Sequence, residues 1–155
     1  MTTTTTDGRY TTTTGSKHST TWRPVRDIAR DIRADVKAAQ SAGDLPADLD
    51  LSIRTRNGDV IDIVIRGRED DWQEHGPTDS DPWPRTRLTA AARDLVRKVE
   101  AIGSEYKQTT TDGGGLYRES TFYLFVEVEQ KSQREWRERD AAERKAKRDA
   151  AKAAR

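Results

Sequence analysis

Cysteine is absent from the 155 residues, which excludes disulfides, thiolate metal sites and a cysteine nucleophile. Histidine is scarce: His18 and His75 are the only two, and neither sits in a serine or cysteine motif. A nucleophilic triad therefore has no support. Apolar residues make up 32% of the chain and aromatics 6%, which limits the protein to one small core. Apolar runs such as Ile63–Ile65 and Leu124–Val126 are strand-sized, far below the roughly 20 residues of a membrane span. The N-terminus lacks the apolar stretch of a secretory signal. The expectation is a protein of the bacterial host cytoplasm with no membrane partner. Nor does either charge dominate: 28 basic against 27 acidic side chains excludes a uniformly basic coat for nucleic acid.

What is present is unevenly placed. Residues 1–21 (MTTTTTDGRYTTTTGSKHSTT) hold only two hydrophobic residues, and their composition predicts a disordered, Thr-rich leader. Residues 22–130 hold 40 of the 50 hydrophobic side chains and read as a single domain. Residues 131–155 hold eight, all alanine except Trp136. Residues 1–130 carry 18 basic and 22 acidic groups, a net of −4, whereas residues 131–155 carry 10 and 5, a net of +5. An acidic body with a basic tail is more informative than the overall +1.

Within the body the periodicities predict elements in the order α-β-β-α-β. Val25, Ile28, Ala29, Ile32, Val36 and Ala39 recur at helical spacing from about Arg23 to Ser41, with Thr21 as a capping residue, Pro24 in the first turn and Gly43 as a stop. Arg26, Arg30, Arg33 and Lys37 line one flank of that helix, and Asp27, Asp31 and Asp35 the other. The hairpin LDLSIRTRNGDVIDIVIRG follows. A three-residue loop with Gly58 in a bulge would pair Ile53 with Ile61, Leu51 with Ile63 and Leu49 with Ile65, giving one clean apolar face. The opposite face then carries Ser52, Arg54, Val60, Asp62, Val64 and Arg66.

Residues 67–87 read as a long loop with six carboxylates between Glu69 and Asp81. A second helix is expected from about Thr89 to Ile102, with Gly103 as its stop. Residues 105–110 are a candidate short strand, and DGGG at 112–115 a flexible turn. In the strand from about Ser120 to Glu129, Phe122, Leu124, Val126 and Val128 point one way, and Tyr123, Phe125, Glu127 and Glu129 the other. The C-terminal residues predict a solvated, projecting helix, capped by Ser132 and Glu135 and stitched by the pairs Glu135–Arg139, Asp140–Arg144 and Glu143–Lys147. The fold class is α+β: a small antiparallel sheet, the hairpin plus one or two further strands, packed on two helices.

The stretch RPVRDIARDIRADVKAAQSAGDLPADLDLSIRTRNGDVIDIVIRGREDDW resembles the large polyvalent protein-associated domains of phages and mobile elements, of which small stand-alone actinobacterial versions occur. The likeness lies in the IRADVKAA helix, the LSIRT and IDIVI strands and, more loosely, LTAAARDLVRKVEAIGSEY and FYLFVEVE. It implies a lineage and a fold for an accessory module, and carries no catalytic residues, cofactor or metal with it. The acidic loop, the Thr-rich leader and the charged tail depart from that pattern.

The strongest binding surface is the second sheet face. There Arg54, Arg66, Tyr123 and Phe125 combine guanidinium groups for phosphate with aromatics for stacking, and Arg144, Lys145, Lys147 and Arg148 on the tail add charge. A competing expectation is that Trp22, Tyr10 or Trp136 covers Tyr123 and Phe125 as core. The partner on this reading is nucleic acid or a host or phage protein. Two other classes stay open. Asp62, Glu129 and Lys131 resemble the D…ExK set of a metal-dependent nuclease or other hydrolase, and His75 with Glu74, Asp79 and Asp81 is a weak cation cluster lacking calcium-loop spacing. The third class is an acidic, DNA-mimic type of inhibitor that presents the acidic loop and the Asp stripe to a host defence protein, against which the basic tail argues.

Overall fold

A computed structural model describes residues 2–68, 71–75, 85–113 and 118–153. In chain order the elements are β1 (Thr3–Asp7), β2 (Tyr10–Thr14), α1 (Val25–Ala42), β3 (Asp50–Arg56), β4 (Val60–Arg66), β5 (Trp72–His75), β6 (Arg85–Leu88), α2 (Ala90–Ser104), β7 (Gln108–Asp112), β8 (Arg118–Ser120), β9 (Tyr123–Val128) and α3 (Lys131–Ala153). The fold is α+β. Its strands form three small sheets, in the orders β3-β4-β9, β1-β2-β7-β8 and β5-β6.

The core lies between α1, α2 and one face of β3-β4-β9. Ile28, Ala29, Ile32 and Val36 from α1 meet Ile53, Ile61, Ile63, Ile65, Phe122 and Val128 from the sheet side and Leu95 and Val99 from α2. Thr21 does not cap α1. The N-cap is Pro24, which has no N–H to lose and offers no side-chain bond, and Gly43 ends the helix at φ 84°. Thr89 caps α2, its hydroxyl accepting from the Ala92 N–H at 3.1 Å. Gly103 does not stop α2, which continues to Ser104. Its lack of a side chain serves packing instead, because a Cβ there would come within 2.6 Å of Leu124 Cδ2.

The hairpin register differs from the expected one by two residues. Ile53 pairs with Ile63, Leu51 with Ile65 and Thr55 with Ile61. A slip of two leaves every side chain on its face, so the apolar set still buries. The cause is the turn. Asn57 and Gly58 both hold positive φ, 56° and 84°, which moves the loop to 57–59 and leaves Arg56 in the strand. The third strand also corrects the all-antiparallel expectation. β9 runs parallel to β4, with Ile61 beside Leu124 and Ile63 beside Val126. The connection between them passes through α2, and a helical crossover returns the chain in the direction it left.

The N-terminal residues are not a disordered leader. β1 and β2 form a hairpin that extends β7 and β8, in register Thr4–Thr13–Thr109–Ser120. Composition misleads here because main-chain ladders need no apolar side chains, and threonine suits an extended backbone. None of the described side chains in this sheet is buried, so it is polar on both faces. It is tied to the core domain where the chain leaves β2. The Gly15 N–H donates to Lys107 O at 2.8 Å, the Lys17 N–H to Glu105 O at 2.8 Å, and the Lys17 ammonium meets Asp35 at 2.5 Å. Asp35 also accepts from the Tyr106 hydroxyl at 2.6 Å.

The expected loop 67–87 contains the β5-β6 hairpin, Trp72 opposite Leu88 and His75 opposite Arg85. The remainder of the acidic segment, with Asp79 and Asp81, lies outside the described residues, as do residues 114–117 of the Gly-rich turn. α3 starts earlier than Ser132. The Gln133 side chain accepts from the Gln130 N–H at 2.7 Å, the amide half of a capping box set two residues upstream. Of the expected pairs Asp140–Arg144 and Glu143–Lys147 form, and Arg134–Glu138 adds another.

Candidate functional site

The parallel pairing of β9 on β4 sets the second sheet face in lateral rows. Arg56, Val60 and Tyr123 make one row, Arg54, Asp62 and Phe125 the next, and Ser52, Val64 and Glu127 the one after. Arg66 follows beside Glu129, whose N–H donates to Ile65 O at 2.8 Å. The four sheet residues expected to share a face, Arg54, Arg66, Tyr123 and Phe125, do share it. Tyr123 and Phe125 are 46% and 53% exposed, and Trp22 and Trp136 are themselves exposed, so among the described residues no aromatic side chain closes over them.

α3 does not project freely. Its first half runs beside this face, where Ser132, Gln133, Trp136, Arg137, Asp140 and Arg144 line one wall of a groove of about 570 Å³ and Arg54, Asp62, Val64, Arg66, Glu127 and Glu129 the other. One contact anchors the helix. Arg137 donates to both carboxylate oxygens of Glu129, at 2.8 and 3.0 Å, and Glu129 is only 4% exposed. Asp62 is engaged in the same way by Arg56, at 3.0 and 3.2 Å. Their carboxylate partners hold both guanidinium groups more firmly protonated than usual, chiefly through hydrogen bonding, and for Arg137 against an opposing effect of burial.

Subtracting these pairs shows which charges are available. Among the described residues the guanidinium groups of Arg54 and Arg66 have no ion-pair or hydrogen-bond partner, and the Nε of Arg66 is buried without an acceptor. On α3, Arg144 faces the groove but is held by Asp140, and Lys147 is held by Glu143. Lys145 and Arg148 carry no ion pair among the described residues. Arg148 continues the groove-facing side one turn past Arg144, while Lys145 stands about a quarter-turn away.

The D…ExK set does not assemble. Asp62 and Glu129 lie about four residues apart along the strand direction, roughly 13 Å, too far to share one ion or a pair of ions. Each is also neutralised by an arginine, and among the described residues no group of three or more His, Asp or Glu is placed to hold a metal. His75 and Glu74 fall on β5, which belongs to a different sheet. The acidic stripe of α1 is not a free surface either, since Asp27, Asp31 and Asp35 meet Arg30, Arg23 and Lys17. Among the described residues no helix is long and apolar enough to cross a membrane.

Comparison with protein-family models, with curated proteins and with solved structures finds no match for the chain. Sequence reasoning missed the Glu129–Arg137 clasp, although it names Trp136, which lines the groove, among the residues that could meet this face. Its only signal was the spacing of Gln133, Arg137, Asp140 and Arg144, which marks a helix side but not what that side faces.

Proposed function

We propose that the chain is a non-catalytic accessory module of the kind carried by phages and other mobile elements, and that it binds single-stranded nucleic acid across the second face of β3-β4-β9. One observation supports this above others. Tyr123 and Phe125 stand exposed two residues apart on one strand, on the same face as the unpartnered guanidinium groups of Arg54 and Arg66. Aromatic rings at this spacing offer stacking platforms for two bases, about 1–3 kcal/mol each, while guanidinium groups take the phosphates. Lys145 and Arg148 extend the positive track along α3. The sheet order differs from that of RNA-recognition folds, so the likeness is one of surface chemistry only.

Fluorescence anisotropy on labelled oligonucleotides across a salt series tests the proposal. Four phosphate contacts, from Arg54, Arg66, Lys145 and Arg148, predict a log–log salt slope of about −2.8 for single strands. Tyr123→Ala with Phe125→Ala should weaken binding at least about tenfold without changing that slope. Lys145→Ala with Arg148→Ala should reduce the slope by about half. Absence of binding at low salt, or equal binding by the aromatic double variant, refutes the proposal and directs the search to a protein partner.

A further inference from the structure

We infer that β1 is a docking edge for a second copy of this chain, the two β1 strands pairing antiparallel to join two four-stranded sheets into one of eight. β1 is the outermost strand of its sheet, and all five of its residues are exposed. The ladder fixes which of its main-chain groups are free. The bonds Gly113 N–H to Arg9 O and Gly15 N–H to Lys107 O show that odd-numbered residues of this segment point their peptide groups at β7. The even-numbered residues of β2 therefore bond to β1, through Thr3, Thr5 and Asp7. A two-residue turn with Gly8 at φ 58° closes on the Asp7–Tyr10 pair, in agreement. Thr2, Thr4 and Thr6 are left with their N–H and C=O groups facing outward.

Natural sheets protect such an edge with lysine, proline, a bulge or a covering element. Thr2–Thr6 has no charge and no proline, and no described element lies beyond it. The segment is also complementary to itself. A two-fold axis at Thr4 sets Thr2 opposite Thr6 of the second copy, Thr3 opposite Thr5, and Thr4 opposite Thr4. These are the cross-strand threonine pairs that β1 and β2 already make within one molecule. Three outward-facing pairs, each exchanging two bonds, use every free main-chain group from Thr2 to Thr6, and both Asp7 carboxylates stay outside the paired run. A heterologous strand would need the same extended, uncharged character, which a second copy supplies without further design.

Sedimentation velocity on the full chain, from about 10 μM to about 1 mM, is the direct test. The expected result is a weight-average mass rising from 17.5 kDa toward twice that value. Thr4→Pro with Thr6→Pro removes only outward-facing N–H groups, which an edge strand tolerates, and should hold the chain monomeric across the range. Amide exchange of the unaltered protein supplies a reading independent of any substitution. Protection at Thr4 and Thr6 should rise with concentration, while Thr3 and Thr5, already bonded to β2, should not change. A monomer at every concentration, association that survives the double proline variant, or concentration-independent exchange at Thr4 and Thr6 overturns the inference.

Discussion

Replacing Arg137 with alanine tests how α3 is held against the sheet. The side chain makes two hydrogen bonds to Glu129, whose side chain is 5% exposed while that of Arg137 is 38% exposed. Hydrogen bonds to charged groups contribute about 1.5–3 kcal/mol, and stranding one partner of a fully buried pair costs about 3–5 kcal/mol. Because Arg137 opens to solvent on one side, water partly replaces it, which places Arg137→Ala near 2 kcal/mol. For a chain of this size that corresponds to a fall in Tm of about 4–8 °C. Amide exchange should also quicken in the first three turns of α3, where Glu129–Arg137 is the anchoring ion pair.

The decisive assay is a double-mutant cycle with Glu129→Gln, followed by thermal unfolding and exchange. A neutral amide at 129 removes the charge that Arg137→Ala strands. The double variant should therefore be no less stable than Arg137→Ala alone, with a coupling of at least about 1 kcal/mol. Strictly additive single effects, or unchanged exchange across α3, would show that the clasp does not hold the helix and that the groove has another origin.

Gly15 should be intolerant of any side chain. A Cβ there would meet the main-chain oxygens of Glu105 and Ser104 at 2.2 and 2.3 Å, and backbone cannot swing aside as a side chain can. Gly15→Ala is expected to cost about 1–3 kcal/mol by overpacking, read as loss of amide protection in β1 and β2 before the core domain unfolds. Asp35 should make stability sensitive to acid. Burial pushes its carboxyl pKa up, but hydrogen bonds from Lys17 and Tyr106 and the Lys17 charge outweigh that and leave it lowered. A depressed pKa stabilises the fold above the unfolded value of about 3.9, and that contribution disappears as pH falls through the folded value. Urea midpoints between pH 6 and pH 2 should therefore fall less steeply for Lys17→Ala than for the unaltered chain, and equal pH dependence would refute the assignment.

How much was legible in the chain can be judged element by element. The buried faces of α1 and of β3, β4 and β9 follow from spacing, since a period of 3.6 or 2 determines side with no knowledge of neighbours. Hence Arg54, Arg66, Tyr123 and Phe125 could be assigned to one face from sequence. The hairpin register could not, because a slip of two preserves the same pattern and only the positive φ of Asn57 and Gly58 selects between them. The Thr-rich strands have the composition of a disordered leader because composition reports apolar burial, whereas these strands form by pairing along the free edge of β7.

The α+β class, the two core helices, the central hairpin and the polarity of the faces of β3, β4 and β9 therefore follow from local periodicity and turn residues. That β9 lies parallel beside β4, that α3 faces the sheet through Glu129 and Arg137, and that the N-terminal threonines extend a second sheet becomes visible only in the folded chain. Each of these joins residues distant in the chain through main-chain bonds or a single ion pair, and such pairings leave no periodic trace in either partner's sequence.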